Sequence, residues 1–258
     1  MVIRRIREHV TAHNWFAVAI DLAIVVLGVL IATQVNNWNE ARIDQERGRS
    51  YRDRLIADLA LTEGDMRASG AYYGDVRDHA LAALEALDRP VANLGEPFLN
   101  DAYQATQTFP RFGRHATYDE LLTSGHAELV GTAALRDRLS NFYSRMDGLL
   151  SLMSFTPPYR DRMRSLMPYR IQQRIRARCD EILTNDDRGL VTARLPRTCA
   201  IDLDPAITAA AIRAISSAPA LDRDLTRVVI DLDTKILNYA KLEKNAREVR
   251  AALRAEHG

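Results

Sequence analysis

Residues Trp15 to Val35 form an apolar run, WFAVAIDLAIVVLGVLIATQV, in which only Asp21, Thr33 and Gln34 are clearly polar. As a helix rising 1.5 Å per residue the run is about 31 Å long, enough to cross a hydrocarbon core of about 30 Å. Trp15 and Trp38 bracket it, where interfacial aromatics collect. The run is too long for a secretory-signal core and no A-x-A cleavage site follows it, so it reads as an uncleaved anchor in a lipid bilayer. The expected organisation is a basic leader over 1–14, a transmembrane helix over 15–35 and a long juxtamembrane helix over 36–89. A helical domain over 90–258 then packs with that long helix.

The rest of the 258-residue chain is globular in composition, with 47% apolar and 27% charged residues. A formal net charge of +1 excludes nucleic-acid binding by bulk electrostatics. Nine prolines and twelve glycines are few for this length and favour long helices over a sandwich or barrel. The fold class expected is all-α, a helical bundle on one membrane anchor. From Glu40 to Leu87 there is no proline. Leu55, Leu59, Thr62, Met66, Ser69, Tyr73, Val76, Ala80, Ala83 and Leu87 recur in steps of four and three, a heptad seam. Gly64, Gly70 and Gly74 are candidate kinks, and Arg89 to Gly95 ends the helix.

Further helices are expected over Glu96–Thr108, from Thr117 to Ser124 with Thr117 and Glu120 as a capping box, and from a Thr132 cap to Met153. Gly125 stops the second of these. Pro157 and Pro158 open a helix reaching Leu183 with a kink at Pro168, and 185–203 reads as irregular. Asp204 and Pro205 open a short helix. Pro219 opens the last, with the stripe Leu221, Leu225, Val228, Leu232, Lys235/Ile236, Tyr239, Leu242 and Ala246.

Orientation follows from three signals. The leader carries Arg4, Arg5 and Arg7; the far flank carries Arg42, Arg47, Arg49, Arg52 and Arg54. Counting Lys and Arg alone therefore does not place the C-terminus outside. The short basic leader resembles a signal-anchor n-region, however. The two cysteines, Cys179 and Cys199, flank one short region and suit a disulfide, which persists in an oxidising compartment. The C-terminal domain is accordingly expected in the periplasm; two unpaired thiols in a cytoplasmic domain are the alternative.

The stretch from Asp21 through Gly28 to Asn36-Asn37-Trp38-Asn39-Glu40 resembles the N-terminal signature of a group of bacterial single-pass membrane proteins of unknown function. That signature has an acidic residue seven positions before a glycine, then an apolar run and N-N-W-N-E. The group usually has Glu where this chain has Asp21. Thr117 to Tyr143 is similar to its second block, which has a Leu-x-x-Ser-Gly core. The resemblance implies a membrane anchor and a helical domain, and no activity.

Candidate functional residues lie at three places. Asp21 is an ionisable group in an apolar helix, and by helical spacing it shares a face with Gly28 and Ala32, a small-xxx-small pattern suited to helix–helix contact. It equally suits a carboxylate reaching headgroup water. Asn36, Asn37, Trp38, Asn39 and Glu40 are placed to meet the membrane surface or a membrane partner. Phe109, Arg111, Phe112, Arg114 and His115 mix aromatics with cations and are a candidate partner loop; pinning that loop to the core is the plainer reading. His115, Asp119 and His126 have no metal-ligand spacing, and there is no P-loop, G-x-S-x-G, G-x-G-x-x-G or C-x-x-C. No catalytic, metal or cofactor residues are assigned.

Two function classes follow. The first is a non-enzymatic, membrane-anchored interaction module (scaffold, sensor or accessory subunit), with a second copy or another membrane protein as partner. The second is a membrane-tethered hydrolase with an unrecognised site.

Overall fold

The computed structural model describes residues 15–111, 113–187 and 189–256. The chain is all-α apart from one two-stranded hairpin. It divides into two units, one running to Ser50 and a compact unit beginning at Tyr51. Helix α1 spans Trp15–Ala86. Its N-terminal part is long and apolar enough to cross a membrane, and that apolar window is 0% buried. From Tyr51 onward α1 belongs to the compact unit.

In that unit the predicted seam is the buried face of α1: Leu55, Leu59, Thr62, Met66, Ser69, Tyr73, Val76, Ala80 and Ala83 are all buried. Gly64, Gly70 and Gly74 do not interrupt the helix. A Cβ at Gly64 would meet Leu190 at 2.9 Å, so that glycine admits close packing.

Helix α8 (Leu221–Ala255) runs antiparallel to this part of α1. Glu63 meets Arg250, Arg67 meets Glu243, Tyr73 stacks on Tyr239 and Arg77 meets Asp233. The predicted stripe, Leu221 to Ala246, is its buried face, including Lys235 at 9% exposure. Helix α4 (Ala133–Met153) packs along α8. Its cap Thr132 bonds Glu256, while Phe155, just beyond its end, meets Lys235. The three helices form the bundle, and its heptad-like spacing explains why the sequence displays it.

Shorter helices cover the bundle: α2 (Glu96–Gln104), α3 (Ala116–Thr123), α5 (Pro158–Leu166), α6 (Tyr169–Arg178) and α7 (Pro205–Ser216). Three expectations are corrected here. Helix α3 starts from His115 with no side-chain cap, because Thr117 is already inside the first turn and buried. Glu120, the expected box partner, instead accepts from Arg54 (3.0 Å) and Tyr51 (3.3 Å). Second, Pro168 separates two helices rather than kinking one. It forces Met167 into extended backbone (φ −82°, ψ 121°), as residues before proline prefer. Third, the second helix stops at Arg178 rather than Leu183, and a hairpin follows: β1 (Ile182–Asn185) starts where helix was expected, and β2 (Val191–Arg194) lies in the stretch expected to be irregular. The strands are antiparallel, Thr184 opposite Thr192, and Gly189 supplies the positive φ of +78° that the turn requires.

Candidate functional site

The structure engages the residues of the candidate loop internally. Phe109 packs 5.4 Å from the Tyr72 ring, with the Arg111 guanidinium 4.5 Å above it. Arg111 reaches Asp65 and the Val191 carbonyl, and Arg114 donates to Asp65 at 2.7 Å. Asp65 is buried on α1, so two guanidiniums neutralise a carboxylate that would otherwise be costly to bury. Burial holds the Arg111 pKa below its ordinary value despite Asp65. His115 closes the loop on Asp147 at 2.8 Å, not on Asp119. These side chains therefore fasten the loop to α1 and the hairpin. Phe112 lies outside the described residues.

The same device recurs along α1. Asp75, 5% exposed, accepts two hydrogen bonds from Arg194 of β2 (2.6 and 2.7 Å) and one from the Leu195 amide (3.1 Å). Glu63, also 5% exposed, meets Arg250 of α8 at 3.1 Å. Each buried carboxylate on α1 thus draws an arginine from a different element and fixes that element's register. Sequence reading missed these pairs because Asp and Arg are spread along the whole chain and their partners are more than a hundred residues apart for Asp75 and Glu63.

Cys179 and Cys199 are bridged, with Cα atoms 5.7 Å apart. Cys179 is the C-terminal cap of α6 and is 1% exposed. Its carbonyl accepts from buried Gln104 of α2. The bridge therefore ties the segment after the hairpin to the α2–α6 contact. Glu96 reinforces it by accepting from the amides of Ile201, Asp202 and Leu203.

Beyond the apolar part of α1, Asn36 donates to Glu40 at 2.7 Å and Arg42 meets Asn39 and Glu46. Trp38 is 68% exposed. Gly28 and Ala32 lie exposed on α1, and a Cβ at Gly28 would meet nothing within 4 Å. The Asp21 side chain and the leader over 1–14 lie outside the described residues.

One arrangement carries the chemistry of a base. His79 of α1 is 4% exposed and holds Asp101 of α2 at 2.7 Å. The pair borders a cavity of about 180 Å³ together with Asp75, Asp78 and Arg197. That cavity has no hydroxyl or thiol in its lining, so His79 faces no side-chain nucleophile there. Among the described residues no group of three or more His, Cys, Asp or Glu is placed to hold a metal ion.

Among the described residues, fold and site together define a helical domain with one helix long and apolar enough to cross a bilayer. Protein-family models, curated proteins and solved structures were compared with the chain, and none matches.

Proposed function

We propose that this protein is a single-pass anchor of the bacterial inner membrane whose periplasmic helical domain is an interaction module: a scaffold, sensor or accessory subunit. The observation that carries the reading is the Cys179–Cys199 bridge, since such bonds persist in oxidising compartments and not among cytosolic thiols. The fully exposed apolar part of α1 supports it, because that surface demands lipid or a partner helix. The resemblance of Asp21 to Glu40 to the N-N-W-N-E membrane family points the same way.

The test is crosslinking in native membranes, followed by purification in mild detergent and mass spectrometry of what is captured. A second copy of the chain or a reproducible membrane partner is expected. Monomer alone, with nothing captured above an unrelated single-pass control, contradicts the module.

A second reading, a membrane-tethered hydrolase, rests on the His79–Asp101 pair bordering a cavity. It requires a hydrolytic activity that His79→Gln abolishes while the fold is retained.

A further inference from the structure

Lys235 is an exception in its own chain. The sequence has only three lysines, Lys235, Lys241 and Lys244, and otherwise uses arginine for positive charge. Lys241 and Lys244 are exposed, whereas Lys235 is 9% exposed in the apolar stripe of α8. Among the described residues it forms no ion pair. Its Nζ donates to the Phe155 carbonyl at a long 3.4 Å and stands 5.0 Å from the centre of the Tyr73 ring. An ammonium has three donors, so two remain for something else. A buried cation without a counter-ion is destabilising unless a ligand offsets it. Burial accordingly holds the Lys235 pKa below its ordinary value, against the opposing pull of Asp231 one turn earlier.

Two cavities meet at this amine, and Met153 and Lys235 line both. The inner cavity, about 120 Å³, is bordered by Tyr73, Tyr239, Thr108 and Thr156, with Arg111, which shares the Asp65 carboxylate with Arg114, at its edge. The outer cavity, about 270 Å³, has Leu152, Phe155, Pro157 and Pro158 along one wall. Leu152 and Phe155 are 67% and 69% exposed, large apolar groups left uncovered beside a charged one. Arg227 and Asp231 stand at the outer wall, and Asp231 is the acidic group whose charge reaches Lys235. Net positive charge around Lys235 and Arg111, next to a short apolar trough, is complementary to an anion with an apolar body.

We propose that this cleft binds a small amphipathic monocarboxylate, its carboxylate on Lys235 Nζ at the inner cavity and its hydrocarbon body against Leu152, Phe155 and Pro158 in the outer one. The proposal goes beyond the anchoring reading and does not depend on the chain's orientation or partners.

The test uses the full chain in lipid nanodiscs with ¹³Cε-labelled lysine, where three lysine signals report site by site. Hexanoate should move the Lys235 signal saturably and leave Lys241 and Lys244 in place. Acetate, which lacks the hydrocarbon body, and hexanol, which lacks the carboxylate, should each bind at least about tenfold more weakly, the first for lost apolar burial and the second for one lost charge-assisted bond. Lys235→Met should remove hexanoate binding measured by equilibrium dialysis while the urea midpoint holds or rises, since an unpaired buried charge is gone. Equal shifts at all three lysines, equal binding of acetate or hexanol, or undiminished binding by Lys235→Met would each overturn the proposal.

Discussion

Arg194 grips Asp75 through two parallel hydrogen bonds, Nε to Oδ2 at 2.6 Å and Nη2 to Oδ1 at 2.7 Å, and so locks the hairpin onto the long helix. The carboxylate is buried and the guanidinium half exposed, so the two partners are not equivalent. Arg194→Ala leaves a buried carboxylate with only the Leu195 amide and should destabilise the domain by about 2 kcal/mol. Asp75→Ala orphans that amide but frees the arginine to solvent. The double variant should show coupling of about 1 kcal/mol or more in urea unfolding of the full chain in nanodiscs. Additive losses would mean the pair does not hold the hairpin.

Breaking the disulfide should weaken the same region. The bridge closes a loop with a sequence separation of 20, worth about 3 kcal/mol in the chain-entropy estimate. Cys179→Ala with Cys199→Ala should lower the urea midpoint correspondingly. No change in midpoint would show that the bond contributes nothing to the folded state.

How far the sequence alone reached depends on the range of the interaction. The α1 seam, the α8 stripe, the Thr132 and Asp204 caps and the Pro158 start are local periodicities or local hydrogen bonds, and the structure has them where the residues point. The hairpin escaped because β1 is exposed along its length and shows no alternation. Its one usable signal is the turn, Asn185-Asp186-Asp187 with Gly189, between β-branched flanks. The Thr117–Glu120 box failed because Arg54, 66 residues away, takes the Glu120 carboxylate. Lys235 was visible only as a polar intruder in an apolar stripe; that two cavities meet at it depends on α4 and its C-terminal end, which periodicity in α8 does not encode.

Glu256 predicts an acid-side dependence. Its carboxylate accepts from the Thr132 hydroxyl (2.6 Å) and amide (3.0 Å), and these bonds hold its pKa below the ordinary 4.5. A folded-state value below the unfolded one gives stability that is complete above the unfolded value and lost as pH falls through the folded one. Glu256→Gln should therefore be less stable than the parent near neutral pH, with the difference shrinking at strongly acid pH. A pH-independent difference in urea midpoint would contradict this. Gly131→Ala should lower the urea midpoint, since its φ is +157° and a Cβ there would displace the Glu256 carboxylate from Thr132.

Self-association through α1 is separable from folding. A Cβ at Gly28 meets nothing within the chain, so Gly28→Leu should leave the compact unit's stability unchanged. If Gly28 and Ala32 form a helix–helix contact, that variant and Asp21→Leu should each reduce crosslinked dimer in native membranes. Dimer yields equal to the parent for both variants would remove this face from the account.

The compact unit that begins at Tyr51 is proposed to fold outside the cytoplasm. A reporter enzyme that matures only in the periplasm, fused after Gly258, tests it most directly beside a second fusion to a reporter that works only in the cytoplasm. Activity is expected from the first and silence from the second, with Cys179 and Cys199 unreactive to thiol reagents until reduced. An active cytoplasmic fusion with a silent periplasmic one would contradict it.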